Sequence, residues 1–323
     1  QETVLITGAS TGIGFSTAIY LDNLGYKVYA GVRKDKDKEN LIANSNNGLT
    51  PVMLDVCDQV SIENTFALII DESKGEPFHL INNAGLSING PLELLEYSDI
   101  KKVIDVNLTG LLIITKTFLP LIRKNSGRII NISSGHGLMA IPDKTVYATT
   151  KLGVQVISDS LRVELKPFGV KVASIIVGKV NTSVLGKILD DREKMIANAD
   201  PEVYELYKTL IEYFDKEVKD IPGIEAIKVS ETIYKAMSDR NPKYKYLIKT
   251  GAKKMNKEQL NKLSEIILDA SIEVHRNLGP GLLESVYELC LCKELKLRKV
   301  RAERQVLVPI IYKKEELNAD YRI

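Results

Sequence analysis

Tryptophan is absent from this chain of 323 residues, aromatic side chains make up 6% of it, and there are three cysteines, Cys57, Cys290 and Cys292. Cysteines so few and so unevenly placed cannot form a disulfide framework; they suit a reducing compartment, and a cytoplasmic protein is expected. Neither sign of charge dominates. Forty-four basic against 42 acidic residues leave a formal net charge of +2, so no global pull toward nucleic acid or anionic lipid is expected. No apolar run reaches about 18 residues, which argues against a membrane span. Gln1 to Ile6 enters a strand-like run at once, without the basic, apolar and cleavage regions of a signal peptide. What is present, 44% hydrophobic and 27% charged residues, is ordinary globular composition. The length exceeds what one core usually fills, about 250–300 residues, so a second unit is expected.

From residue 3 to about 250, short β-branched runs alternate with amphipathic stretches. Val4–Ile6, Lys27–Ala30, Pro51–Leu54, Leu80–Ile81, Arg128–Ile132, Lys171–Val177 and Tyr244–Ile248 read as strands, several apolar on both faces. Helical period runs through about 13–24, 59–73, 99–124, 146–167 and 225–238. The alternation predicts an α/β fold: a Rossmann-type, doubly wound, mainly parallel seven-stranded sheet. Residues 183–220 break the rhythm with a long acidic and aromatic helical insertion, a candidate lid. At Lys249–Lys254 a polar, glycine-containing junction separates a first domain, 1–250, from a small incomplete α/β unit, 251–323; Met255 marks where an independent protein could begin.

Thr7-Gly8-Ala9-Ser10-Thr11-Gly12-Ile13-Gly14 follows the first strand and opens the first helix. Gly8 permits a tight turn, Gly12 lets backbone approach a phosphate, and Gly14 lets helix and strand pack closely. The helix N-terminus then offers unpaired N–H donors to a pyrophosphate. Where NAD-binding folds often carry an acidic residue for the ribose, this sequence has Val32 followed by Arg33 and Lys34. A guanidinium fork with no carboxylate in the way predicts NADP(H) as the preferred cofactor, with NAD the other candidate.

Tyr147 and Lys151 are four residues apart at a helical start, on one helix face. A phenol with an ordinary pKa near 10 is a poor acid or base at neutral pH, and a neighbouring ammonium favours its phenolate. Ser134 ends a strand, where a hydroxyl can point out of the sheet's carboxyl edge. His136, two residues on, reads as a loop residue. No clustered Cys/His set points to a metal site.

Together, Thr7-Gly8-x-x-x-Gly12-x-Gly14, Asn82-Asn83-Ala84-Gly85, Asn107, Ser134 and Tyr147-x-x-x-Lys151 resemble the short-chain dehydrogenase/reductase family over about residues 2–250. The resemblance implies hydride transfer between a nicotinamide and a carbonyl or secondary alcohol carbon. Tyr147 would be the general acid/base, Ser134 the holder of the carbonyl oxygen, and Lys151 the ribose ligand that lowers the Tyr147 pKa. Asn107 would support a proton-relay water near Lys151. The same resemblance sets the cofactor against Gly8, Ser10, Thr11, Gly12, Ile13, Gly14, Arg33, Asp55, Val56, Asn83, Ala84, Gly85, Tyr147, Lys151, Gly178, Val180 and Thr182. Asp55 matches the adenine contact and Thr182 the carboxamide contact. Val177-Gly178 replaces the family's usual Pro-Gly, which predicts a looser loop. The family also implies a dimer or tetramer, and the aliphatic and aromatic lid favours an apolar carbonyl or alcohol.

Gly281-x-x-Glu284-x-x-Tyr287 resembles the GxxExxY family, whose fold is like the PD-(D/E)xK nucleases, over roughly 257–323. The resemblance places that family's metal-binding Asp and Glu-x-Lys beyond Ile323; Glu284 could be one ligand, but a hard cation needs more than one carboxylate. The basic run Lys296, Arg298, Lys299, Arg301 and Arg304 reads as a solvated helix end, and Cys290 and Cys292 as core residues. A truncated, inactive appendage is expected, or an interaction module whose exposed strand edge seeks a partner. The alternative is a nucleic-acid-binding or metal-dependent nuclease-like protein acting through this unit; a dinucleotide sensor without turnover would need Ser134, Tyr147 and Lys151 to be idle.

Overall fold

The computed structural model describes residues 1–323 except 73–75, 125, 140, 183, 221, 249–256, 305–306, 313–314 and 323. Its chain separates into two compact units, Gln1–Ala252 and Lys253–Ile323.

The first unit is built on seven strands: β1 (Thr3–Ile6), β2 (Lys27–Val32), β3 (Thr50–Met53), β4 (Phe78–Asn82), β5 (Arg128–Ser134), β6 (Lys171–Val177) and β7 (Lys245–Ile248). They form one sheet in the order β3-β2-β1-β4-β5-β6-β7, every pairing parallel. The strand order reverses between β1 and β4, where Leu5 lies between Tyr29 on one side and Leu80 on the other. Such a switch point opens a crevice at the carboxyl edge, where α/β sheets bind their ligands.

Strand residues alternate between two buried faces, which is why the strands are apolar throughout. Val4 and Ile6 join a cluster with Ala18 and Leu21 of α1 (Gly12–Asn23) and Val229, Ile233 and Ala236 of α9 (Ala226–Ser238). Leu5 and Tyr29 face the other way. They pack with Ile62 and Ile69 of α3 (Gln59–Glu72) and with Ile114 and Phe118 of α5 (Leu111–Lys124), where Phe118 stacks on Phe78 at 5.5 Å. The sheet lies between two helical layers.

Two features depart from the sequence expectation. A short helix, α2 (Asp35–Asn44), follows β2; Leu41 is its one buried side chain, so it carried almost no apolar period. The stretch 99–124 is interrupted: α4 (Tyr97–Ile104) passes through a π-helical turn, Asp105–Gly110, into α5. By length and composition Tyr97–Lys124 could cross a bilayer, yet 44% of its most apolar window is buried inside the fold.

After α6 (Thr145–Glu164) and β6, the insertion 183–220 forms two helices, α7 (Val184–Asn198) and α8 (Pro201–Asp220). The second unit holds α10 (Lys257–Leu278), α11 (Glu284–Leu297) and an antiparallel pair, β8 (Leu307–Tyr312) and β9 (Glu315–Arg322). Met255 and the junction Lys249–Lys254 lie outside the described residues.

Candidate active site

The β1–α1 turn is shaped by backbone that a side chain would obstruct. Gly8 has φ +67°, in the left-handed region that glycine adopts freely, and a Cβ there would stand 2.8 Å from the Ala84 Cα. A Cβ on Gly14 would stand 2.3 Å from the Gly8 carbonyl oxygen. Asn83 Nδ2 donates to the Thr7 and Gly8 carbonyls at 3.0 and 2.9 Å, while Thr7 Oγ1 accepts from the Asn83 and Ala84 backbone N–H groups, both at 3.0 Å. The Asn-Asn-Ala-Gly run therefore braces the glycine turn from the neighbouring strand. Thr11 makes no side-chain cap bond to α1, and the first turn of α1 contains no acidic residue. That leaves a positively polarised helix end open to an anion, which fits a pyrophosphate. Ser10, Gly12 and Ile13 are half-buried along this turn and Thr11 is exposed.

Thr182 reaches the turn from the far side, its methyl 3.2 Å from where a Gly12 Cβ would be. The loop holding Gly178, Val180 and Thr182 is tethered: Val180 bridges to Ile224, and Asn181 N–H donates to the Ile224 carbonyl at 2.8 Å. The looser loop expected from the missing proline is thus held by a neighbouring strand-like segment. At the end of β2, Arg33 is 58% exposed and its Nη1 lies 3.9 Å from Asp55 Oδ2. The fork is therefore not free of carboxylates, contrary to the sequence expectation. Asp55 Oδ1 also accepts from the Cys57 N–H at 2.9 Å, and Val56 is buried beside it.

Ser134 ends β5, and Tyr147 and Lys151 project from α6 beside it. Lys151 is buried and donates from Nζ to the Ile132 carbonyl at 3.0 Å, with Nζ 5.8 Å from the centre of the Tyr147 ring. A Cβ on Gly85 would meet Lys151 Nζ at 3.3 Å and Asn107 Oδ1 at 3.4 Å, so the brace of the glycine turn also lines this site. Asn107 sits in the π-helical turn, a distortion often found at functional sites. Its Nδ2 donates to the Leu86 carbonyl at 2.8 Å and to Thr150 Oγ1 at 2.9 Å, and its Oδ1 accepts from the Leu86 N–H at 2.7 Å. Thr150 Oγ1 in turn donates to the Tyr147 carbonyl at 2.8 Å. Asn107 is therefore anchored to α6 through Thr150, which the sequence reading passed over although it lies three residues from Tyr147 on the same helix.

Burial governs the protonation of these groups. It pulls Lys151 down to about 8 and pushes the Tyr147 phenol up from its ordinary value, a rise that a hydrogen bond with Ser134 opposes. The expected depression of Tyr147 by Lys151 is not among the influences on this phenol in the protein alone. His136 is more than a loop residue. Its N–H donates to Ser134 Oγ at 3.2 Å, its Nδ1 lies 3.2 Å from the same oxygen, and its ring packs edge-on to Tyr147 at 5.9 Å. Burial and the nearby Lys144 lower its pKa, keeping the imidazole neutral.

In the second unit, Glu284 lies in the first turn of α11, and Tyr287 Oη donates to the Gly279 carbonyl while accepting from the Leu282 N–H. The G-x-x-E-x-x-Y tyrosine thus braces the turn at Gly279–Leu282. No group of three potential metal-ligating Cys, His, Asp or Glu side chains occurs among the described residues, and Glu284 alone does not fit a nuclease-type cation. Arg298, Arg301 and Arg304 pair with Glu294, Glu303 and Glu288, which offsets much of the basic run. Cys290 and Cys292 are half-buried rather than core residues, and both are free thiols.

Residues 2–193 match the family model described as short chain dehydrogenase, and residues 261–323 match the PD-(D/E)XK nuclease superfamily model. Among similar proteins is the 3-amino-tetrahydro-pyrrolizinone reductase of Xenorhabdus hominickii, 32% identical over 82% of this chain and 93% of the relative. The mitochondrial D-beta-hydroxybutyrate dehydrogenase of Bos taurus is 39% identical over 61% of this chain and 60% of its own length. The closed form of serine dehydrogenase complexed with NADP+ superposes with a TM-score of 0.65 at 25% identity, covering 79% of this chain and 98% of that one. With the seven-stranded sheet, the braced glycine turn and these matches, the chain belongs to the short-chain dehydrogenase family of oxidoreductases, which act on CH–OH groups with a nicotinamide dinucleotide.

Proposed function

We propose that Gln1–Ala252 interconverts a carbonyl and a secondary alcohol with NADP(H), using Tyr147 to move the proton. The observation that carries this reading is the gathering of Ser134, Tyr147 and Lys151 at the carboxyl edge of the sheet, within one layer of the glycine turn through Gly85. When bound, the dinucleotide supplies or accepts the hydride. The Ser134 hydroxyl, steadied by His136, holds the substrate oxygen; the Tyr147 phenol gives that oxygen its proton in reduction and takes it back in oxidation. Lys151, held by the Ile132 carbonyl, binds the nicotinamide ribose and brings positive charge to the phenol, the influence needed to bring Tyr147 down toward the working pH. Asn107, fixed through Leu86 and Thr150, holds the relay end of α6. Gly8, Ser10, Thr11, Gly12, Ile13 and Gly14 hold the pyrophosphate, Asp55 and Val56 the adenine end, Asn83 to Gly85 the ribose side, and Gly178, Val180 and Thr182 the carboxamide.

The preference for NADP(H) rests on Arg33, exposed and one residue past β2; its nearness to Asp55 weakens but does not cancel the attraction for a 2′-phosphate. Exposed Leu138 and Met139 in the loop after Ser134 favour an apolar substrate. Exposed Leu112 and Ile113 on α5 and Leu152 and Val156 on α6 favour a homo-oligomer, and the three free thiols a reducing, cytoplasmic setting. The unit from Lys253 on is an appendage to which we assign no chemistry.

Fluorescence titration with NADPH and NADH, followed by turnover at 340 nm on D-3-hydroxybutyrate, a steroid alcohol and a retinoid alcohol, tests this directly. Binding of both dinucleotides, with at least about tenfold better kcat/KM for the phosphorylated form, is the expected result. Equal or better efficiency with NAD(H) removes the NADP preference, and a chain that ignores both dinucleotides removes the whole reading.

A further inference from the structure

The loop that leads into α6 ends at Asp143, whose backbone is left-handed (φ +69°) although it is not glycine and whose side chain is fully buried. Such a conformation persists only where its surroundings over-determine it. Here three segments converge on one residue. Arg192 of α7, 4% exposed, grips the carboxylate as a two-pronged fork: Nη1 to Oδ1 at 2.7 Å and Nη2 to Oδ2 at 2.7 Å. The Asp143 carbonyl accepts from the Gly90 N–H at 3.0 Å, tying in the loop that continues from Asn83–Gly85. Lys144 Nζ, itself buried, lies 3.5 Å from Asp143 Oδ2, and α6 with Tyr147 begins at the next residue.

The insertion also meets the Gly90 loop directly, and its two helices are joined at the fork. One turn along α7 from Arg192, the Met195 sulfur lies 2.4 Å from where a Gly90 Cβ would be, so a side chain at position 90 would force the methionine to shift. Asp215 of α8 is 3.4 Å from Arg192 Nη2, which links the second lid helix to the fork. Arg192 Nε, also buried, has no acceptor among the described residues. A buried ion pair is a poor source of net stability, and an imperfectly satisfied one poorer still; its attested use is to select one geometry.

We propose that Arg192 and Asp143 are positioning residues: their buried fork makes closure of the α7–α8 lid and orientation of the start of α6, with Tyr147 and Lys151, a single event. This rests on the assignment of Tyr147 as the proton carrier, since only then does the start of α6 matter to turnover. With the fork made, α6 is held at its first turn by α7 and by the Gly90 loop together. With the fork broken, both the lid and that first turn are released. The pair also explains why charged side chains are buried at the base of a lid that the sequence suggested to be aromatic and aliphatic.

Amide hydrogen exchange on the full chain tests the coupling without needing turnover, so its failure is separable from failure of the Tyr147 assignment. In Arg192→Met, exchange should quicken about tenfold or more in residues 145–151 as well as 184–198, while β1 stays as in the wild type. Arg192→Lys, which keeps the charge but loses the fork, should recover part of that protection. On whichever panel alcohol the wild type oxidises, kcat should fall in step with the loss of protection at 145–151 while the KM for the preferred dinucleotide stays within about twofold. Should Arg192→Met fail to fold, Asp143→Asn/Arg192→Met, which removes both charges of the fork, is measured against the same criteria. Quickened exchange confined to 184–198, or spread equally to β1, overturns the proposal.

Discussion

His136 Nδ1 and Ser134 Oγ are 3.2 Å apart beneath the edge of the Tyr147 ring, and the neutral imidazole can either give or take the shared hydrogen. In the proposed reaction that placement would fix the rotamer of the serine assigned to the substrate oxygen. A hydrogen bond of this kind is worth about 1 kcal/mol net, so His136→Ala should lower kcat/KM about fivefold. Dinucleotide affinity should change little, because the partners of the His136 side chain among the described residues are Ser134 and Tyr147 and not the glycine turn itself. Steady-state kinetics beside a fluorescence titration checks this; an unaltered kcat/KM, or a matching loss of dinucleotide affinity, would show that the ring has another task. At this scale the sequence was readable where spacing encodes geometry, as with Tyr147 and Lys151 on one helix face. It was silent where long-range packing decides. Nothing local marks Asp143 and Arg192, 49 residues apart, as partners, and His136 resembled any loop histidine.

Elements were legible in proportion to the apolar surface they bury. The seven strands, hydrophobic on both faces, and the helices that cover them announced themselves through their periods. The helix Asp35–Asn44 did not, because Leu41 alone anchors it while Ile42 is 60% exposed; its one local signal was the pair Asp35 and Asp37 in the first turn, where a helix dipole favours negative charge. The π-helical turn at Asp105–Gly110 was equally hidden. Val103 before it and Leu111 after it keep the apolar face going, so the extra residue leaves the pattern of 99–124 looking continuous. That insertion matters, since it places Asn107 against Leu86 and Thr150 at the head of α6. The lid insertion was visible as helical period, whereas its docking through Arg192 and Met195 depended on contacts no period contains.

Across the first unit as a whole, chemistry gathers at the carboxyl edge of the sheet and a separate polar cluster closes the amino edge. There Glu2 bonds to His79 Nε2 at 3.1 Å, Arg128 N–H donates to His79 Nδ1 at 3.1 Å, and Arg128 Nη1 donates to the Ala236 and Asp239 carbonyls of the α9 end. The His79 hydrogen bond lowers the Glu2 pKa below 4.5, with a further contribution from Tyr26, and burial together with Glu2 pushes the Tyr26 phenol up to about 12. A carboxyl whose folded pKa is depressed adds stability that is full above its unfolded pKa and disappears as pH falls through the folded value. Glu2→Gln should therefore lower the urea midpoint at pH 7, and the gap from the wild type should close below about pH 4. A gap that stays constant with pH would mean that the charge of Glu2 contributes nothing. The second unit, by contrast, was legible as a motif and not as a function: Tyr287 holds a turn, and its arginines answer its glutamates.

Burial alone would leave the Tyr147 phenol a poor acid at neutral pH. The most direct measurement is the turnover of Tyr147→Phe, with dinucleotide affinity determined on the same samples. A loss of about 10²–10⁴ in kcat with affinity kept within about twofold is the outcome expected of a proton carrier whose phenol oxygen adds little to holding the cofactor. Turnover close to that of the wild type would contradict it.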